Sequence, residues 1–427
     1  IAARGHRPPA TNPAIVGAST SEGELLMPHI VVVGGGMLGT ISALLAARRG
    51  WEVTLVEAEP SLWSRASRAN EGKVHLGPVF ALGGLATAEV MLRGAFSFAS
   101  TVDEAVGRRL NWAELVTDCF NYLVMPDSLC PPKELAQRYA EIQSRLDALR
   151  AEIGHDYLGS DIERVIAFTP HTHEPSGFPA FRSEERAVDP VALGGIIVRA
   201  IASSSIRVLT DTTATLLESS ELAHVHVTSR DGARSTLTAD LVVNAAWEQQ
   251  QLLLPAEHAV TRNYRLKAAT IVNGYRAPRP LTLVQGPYGD VVPYADRTFA
   301  SWYPVGRLSH EHGLLPSDAT MARLRDVAAD TALGRAQLAA LRRLHVLEAD
   351  LEPSEVIGGL IIGHGTADIE TRASELHTRS EFGARVDDRI ITPANFKFTT
   401  APLAAQDAVH TAVRLLASPD PKATAMP

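Results

Sequence analysis

The chain has 427 residues, 45% of them hydrophobic, which is enough for two cores or for one core carrying an inserted module. A formal net charge of -8 supplies no positive field and so excludes a general binder of nucleic acid or of anionic membranes. Two cysteines, Cys119 and Cys130, are too few for a disulfide framework and read as reduced packing residues of a cytoplasmic protein.

Residues 1–27 are rich in Ala, Pro, Gly, Ser and Thr and lack the apolar core of a signal peptide, so a disordered leader is expected, with Met27 as an alternative start. Residues 30–47 then form an uncharged, largely apolar run close to the minimum for a membrane span. The run opens on Ile30-Val31-Val32-Val33, breaks at three glycines and resumes as a helix. That punctuation belongs to a buried strand, turn and helix, and no integral membrane segment is expected.

The turn Gly34-Gly35-Gly36-Met37-Leu38-Gly39 is followed by a helix over about 37–49 and by a second strand, Glu52-Val53-Thr54-Leu55-Val56, ending at Glu57. Gly34 permits the tight turn, Gly36 lets a pyrophosphate approach the backbone, and Gly39 lets helix and strand pack closely. Phosphates would meet the free N–H groups and the dipole at the helix N-terminus. Glu57 could accept both hydroxyls of an adenosine ribose and would repel a 2′-phosphate. The complete unit points to an adenine dinucleotide, and its fold alone leaves NAD and FAD open.

The next segment, Ser64-Arg65-Ala66-Ser67 and Asn70-Glu71-Gly72-Lys73-Val74-His75-Leu76-Gly77, resembles the second flavin-contacting segment of the D-amino-acid oxidase (DAO) family of FAD-dependent oxidoreductases. Ala187-Val188-Asp189-Pro190, the strand near 206–209 and Ala239-Asp240-Leu241-Val242-Val243-Asn244-Ala245-Ala246 follow in the family's order, with Trp247 where most members have Gly. Near the C-terminus, Ser374-Glu375-Leu376-His377-Thr378-Arg379 and Lys397-Phe398-Thr399-Thr400-Ala401-Pro402 resemble the glycerol-3-phosphate-dehydrogenase-like branch, with Phe396 where Gly precedes the lysine. The resemblance covers roughly residues 29–415.

It implies noncovalent FAD and an α/β fold of two domains, a Rossmann-like FAD-binding domain interwoven with an antiparallel-sheet substrate domain and a helical segment. The expected boundaries are 28–95, 160–262 and 350–427 for the FAD domain, 96–159 for a helical cap and 263–349 for the substrate domain. Residues 86–160 carry helical periodicity, clearest over 134–150. Strands are expected at 264–272, 281–285, 291–294 and 298–303, a helical pattern at 316–348, and a last helix over about 402–416 before a disordered tail.

Cofactor contacts are expected from Gly34, Gly36, Met37, Leu38, Gly39, Glu57, Ala58, Arg65, Ser67, Asn70, Glu71, Gly72, Ala246, Lys397, Phe398 and Thr399. Catalytic or substrate-binding candidates are His75, Tyr303, Arg372, His377 and Lys397, with Arg307 and Arg379 competing for the role of carboxylate grip. Lys397 beside the flavin edge would stabilise the anionic reduced ring. The pairs His171/His173 and His310/His312 lack a recognisable ligand spacing, so no metal is expected.

The expected reaction is hydride transfer from a small amine or amino acid to flavin N5, the alternative being a hydroxy acid or sugar-alcohol derivative. Oxygen and another carrier both stay open as electron acceptor. An aromatic monooxygenase ranks third, because Gly289-Asp290 leads into a strand rather than a small-residue helix. A nonenzymatic flavin-stabilised binding protein is a fourth reading.

Overall fold

The computed structural model describes residues 27–417 except 348, 349 and 395; residues 1–26 of the expected leader and the last ten residues lie outside the described residues. Strand His29–Val33 is hydrophobic at every position after the first because it is covered on both faces. Ile30 and Val32 join the core that contains the helices Met37–Arg48, Leu85–Val106 and Ala401–Ala417. Val31 and Val33 point the other way, into a core shared with Ala214, Leu217 and Val225. This two-residue alternation places a helical layer on one side of the sheet and a three-stranded antiparallel sheet, Thr212–Ser219, Ala223–Ser229 and Arg234–Ala239, on the other.

The central sheet has six strands in the order 207–209, 52–56, 29–33, 241–244, 390–394 and 383–387. All neighbouring pairs are parallel except the last. The C-terminal ends of its inner strands therefore deliver Gly34, Glu57 and Ala245 to one crevice, where ligands of open α/β sheets bind. Gly39 meets Gly34 there so closely that a Cβ on Gly39 would sit 1.8 Å from the Gly34 carbonyl oxygen.

A second, nine-stranded sheet roofs this crevice. Its long strand Arg262–Asn273 pairs with Arg297–Trp302, Arg307–Gly313 and Glu355–Gly363, all antiparallel. Four of its strands come from outside the expected 263–349 segment: Asn121–Val124, His171–His173, Phe178–Arg182 and Glu355–Gly363. The first lies inside the expected helical cap, where the helices are Leu85–Val106, Trp112–Leu115 and Pro132–Ile153. The strand forms because Tyr122, Leu123 and Val124 are buried between neighbours on both sides, an environment that local periodicity does not encode. Among the described residues no helix is long and apolar enough to cross a membrane.

Two ties hold the short strand Lys73–Val74 in place under this roof. Gly72 turns the chain with φ +62°, its N–H donating to Asn70 Oδ1 at 2.7 Å and its carbonyl accepting from Val188 N at 2.8 Å. Lys73 Nζ, buried, donates to Asp290 Oδ1 at 2.7 Å, and Lys267 approaches the other Asp290 oxygen at 3.7 Å. Burial alone would raise the Asp290 carboxyl, but Lys73 and Lys267 outweigh it and hold its pKa down to about 2.

Gly72→Ala would combine a left-handed backbone with a Cβ 1.9 Å from the Val188 carbonyl oxygen. A loss of about 2 kcal/mol or more is expected, read as a lowered thermal midpoint. Asp290→Asn would leave Lys73 buried without its counter-charge, at a cost of about 3 kcal/mol. Because the folded pKa is depressed, the Asp290 contribution is present above the unfolded value of about 3.9 and is lost as pH falls from there through about 2. Acid unfolding curves of wild type and D290N should therefore converge at low pH.

Candidate active site

Between the two sheets lies a cavity of about 280 Å³ that runs from Glu57 to Lys397. At the first end the Glu57 carboxylate accepts from Gly35 N at 2.5 Å and from Glu59 N at 2.8 Å, so it is held at the end of its strand. Burial, offset in part by these two N–H groups, raises its pKa. Gly36 lines the cavity, and a Cβ there would meet Ser67 Oγ at 3.0 Å. Ser67 Oγ also accepts from Met37 N at 2.8 Å, at the start of the helix Met37–Arg48. Arg65 bridges the carboxylates of Glu59 and Glu248, the latter at 2.7 Å.

This end has the parts an adenosine diphosphate group needs: a carboxylate for ribose hydroxyls, a helix N-terminus without an acidic residue in its first turn, and a glycine cradle for phosphate. Met37, Leu38, Ala58 and Ala246 line the same stretch. Gly39 does not reach the cavity; its place is against Gly34.

The other end is cationic. Lys73, Lys267, Arg379 and Lys397 all line it, together with Glu71, Phe398 and His75. Lys73 and Lys267 share Asp290, whereas no carboxylate among the described residues pairs with Lys397 or Arg379. Arg379 spends its terminal N–H groups on the carbonyls of Leu376, Thr378 and Ile362, and its Nε is buried without a partner. Burial, then the guanidiniums of Arg265 and Arg262, pull its pKa down to about 9. Burial, then Arg379 and Arg265, hold the Lys397 ammonium well below the ordinary lysine range, with Glu71 opposing them in part, and its Nζ lies 5.5 Å from the centre of the Phe80 ring.

His75 faces this cationic end, its Nδ1 3.3 Å from Glu185 Oε1 and its ring edge-on to Phe80 at 4.9 Å. His377 sits on the far side of Phe80, 5.5 Å from it, and does not line the cavity. Burial and the neighbouring Lys397 keep its pKa well below the ordinary value, and its Nδ1 has no hydrogen-bond partner.

Several sequence expectations are corrected. Arg372 is exposed on the surface, donating to Glu134 at 2.6 Å and to the Leu129 carbonyl at 2.6 Å, so it grips nothing in the cavity. Tyr303 opens the short helix Tyr303–Gly306 instead of ending a strand, and its hydroxyl is spent on Asp368 at 2.7 Å and Arg265 at 2.8 Å. Gly72 and Thr399 stand behind the lining: the Thr399 hydroxyl accepts from His75 N at 2.9 Å and donates to the Lys73 carbonyl at 3.1 Å. Asn70 lines the cavity but uses its amide to close the turn before Lys73.

Three cavity cations were missed or ranked low. Arg265 and Lys267 share one parity in a long apolar strand, and that spacing was a signal that one cation flanked an inward-facing site. Lys73 directly follows the Asn70-Glu71-Gly72 turn, and Arg379 closes the Ser374-to-Arg379 segment. Glu185 carried no signal, since Ser183-Glu184-Glu185-Arg186 reads as a solvated charge cluster.

The donor set of this cavity fits FAD: an adenosine end with carboxylate and glycine cradle, and a flavin end with an unpaired lysine. The fold is also that of known flavoenzymes. Glycine oxidase from Geobacillus kaustophilus superposes with a TM-score of 0.59 at 15% identity, covering 91% of this chain and 95% of that one. L-alpha-glycerophosphate oxidase from Mycoplasma pneumoniae, solved with FAD bound, gives 0.59 at 16% identity over 90% and 94%. A stretch of 37 residues is 57% identical to the bifunctional tRNA 5-methylaminomethyl-2-thiouridine biosynthesis protein of Methylobacillus flagellatus, spanning 9% of this chain and only 6% of that protein. Residues 29–330 match the family described as FAD dependent oxidoreductase (DAO), and the chain belongs to that family.

Proposed function

We propose that this FAD-dependent oxidoreductase oxidises a small anionic substrate at a carbon bearing a hydroxyl group, as in a hydroxy acid or a phosphorylated sugar alcohol. The observation that carries this reading is His75 facing the same end of the cavity as Lys397 and Arg379, two cations with no carboxylate partner among the described residues. An anion in that space would give both cations a counter-charge that the fold withholds. Bound FAD supplies the hydride acceptor.

The hydroxyl distinguishes this substrate from an amine. Loss of hydride from an alcohol carbon leaves a positive carbonyl oxygen unless the O–H proton is removed, so a base near the substrate lowers the barrier. A neutral amine carries its own lone pair and can lose hydride without a side-chain base. A small amine or amino acid therefore remains the second reading; its carboxylate would use the same cations, and His75 would be needed only to deprotonate an ammonium form before the hydride leaves. The FAD would be held noncovalently; neither Cys119 nor Cys130 lines the cavity.

Anaerobic mixing with lactate, glycolate and glycerol 3-phosphate, against glycine, alanine and sarcosine, should bleach the flavin absorbance with a hydroxy compound. Bleaching by the amines alone would overturn this reading. His75→Ala should slow flavin reduction by about 100-fold or more with FAD content unchanged.

Lys397→Met should weaken binding of the anionic substrate by about tenfold or more. Because anion binding favours the charged ammonium whose pKa is depressed in the free protein, binding takes up a proton. Affinity should then fall as pH rises, and this dependence should vanish in K397M when dissociation constants are measured by flavin absorbance titration.

A further inference from the structure

Behind His75 lies a carboxylate with no route to solvent. Glu185 is fully buried and stands one residue before the short strand Arg186–Ala187, which pairs with Lys73–Val74. Its Oε2 accepts from Leu76 N at 2.6 Å, and its Oε1 accepts from the Tyr122 hydroxyl and meets His75 Nδ1 at 3.3 Å. Two donors other than the histidine are thus committed to it. A buried carboxyl so furnished is a carboxylate and can only accept, so the proton between it and His75 belongs to Nδ1.

We infer that Glu185 is a positioning residue for His75, fixing the ring in the tautomer that carries its proton on Nδ1 and leaving Nε2 as the acceptor at the cavity. This rests on the reading of His75 as the base of a C–O oxidation. Nε2 has no hydrogen-bond partner among the described residues, and the ring is kept from turning by its edge-on contact with Phe80 at 4.9 Å. In the opposite tautomer Nε2 would carry a proton and could not accept one from a substrate hydroxyl.

The groups around the ring are of both signs. Glu185 is the only carboxylate in contact with His75 among the described residues, and Tyr122 reaches the ring through it. Tyr157 donates to the Val74 carbonyl one residue before the histidine. Lys73 from the strand just before the histidine, Lys397 from the turn before the helix Ala401–Ala417, and His377 beside Phe80 contribute positive or neutral neighbours. Glu185 is thus the one acceptor that holds the Nδ1 proton among these neighbours, and without it His75 would lose its fixed tautomer.

The test uses the FAD-loaded protein labelled with ¹⁵N at histidine, without substrate. The His75 signals, identified by their loss in His75→Asn, report which nitrogen carries the proton. In wild type they should be those of an Nδ1–H ring. Glu185→Gln turns the side-chain amide toward Nδ1 as a donor, so the proton should move to Nε2. Flavin reduction by the hydroxy compound that bleaches wild type should slow by about 10- to 100-fold. An unchanged tautomer in E185Q would overturn the proposal.

Should E185Q fail to yield folded, FAD-containing protein, Tyr122→Phe decides. It removes a hydrogen bond that Glu185 Oε1 accepts and leaves that oxygen to His75 alone, so the Nδ1–H proton signal should move to lower field as its hydrogen bond strengthens; no movement overturns the proposal. Full activity in His75→Ala would instead remove the base reading, while the nitrogen signals still report on Glu185 separately.

Discussion

Unbalanced positive charge where the two sheets meet is the constraint on which the rest of this site depends. Lys73, Lys267, Arg379 and Lys397 converge there, and Asp290 is the single carboxylate that pairs with any of them among the described residues. Burying a charge without a partner is expensive, and a protein keeps such an arrangement where the missing partner arrives as a ligand. The fold bears the cost by distributing it: Arg379 is solvated by three carbonyl groups, and Lys397 lies over the Phe80 ring. At the opposite end the charges reverse, with Glu57, Glu59 and Glu248 outnumbering Arg65. The cavity is thus polarised along its length, which orients a dinucleotide before any specific flavin contact is considered.

The polarity follows from topology. The adenosine end is built by residues adjacent in sequence, because one strand, one turn and one helix supply both the phosphate cradle and the carboxylate. The cationic end is assembled from strands 73–74, 262–273 and 355–363 and the segments around 379 and 397, which the chain visits hundreds of residues apart. Its cations cannot be placed unless both sheets are formed, so the flavin end is specified only by the completed fold.

This difference decides what could be read before the structure. The turn from Gly34 to Gly39, Glu57 and the strand periodicity around them were legible because their function is local, and the expected helix after residue 402 is found at Ala401–Ala417 for the same reason. The strands of the roof between 262 and 302 were legible from alternation and turns. Asn121–Val124 was not, since it is a strand only by pairing with 281–284 and 178–182, in a region whose own periodicity is helical. Arg372 and Arg379 show the limit most clearly. Both are arginines of one C-terminal segment, yet one is exposed against Glu134 and the other is 1% exposed in the cavity wall, a difference set by which loop packs over them.

Trp247 and Phe396 show how a departure from a pattern is accommodated. Both stand where the family pattern has glycine, and Trp247 keeps the glycine-like backbone, with φ +47°. Such a conformation costs a non-glycine residue about 1–3 kcal/mol. The indole offsets it by donating to the Leu360 carbonyl at 3.1 Å and by packing on Phe396 with ring centres 4.9 Å apart. An aromatic pair contributes about 0.5–1.5 kcal/mol beyond its burial, and a buried hydrogen bond about 1 kcal/mol, so strain and gain are of the same order. What the exchange achieves is connection. One side chain ties the end of the parallel strand 241–244 to strand 355–363 and to the residue directly before Lys397, three walls of the cavity that glycine would leave unlinked. The lysine that the proposed chemistry uses is thereby anchored from its own neighbour, and the backbone strain is located where rigidity serves the site.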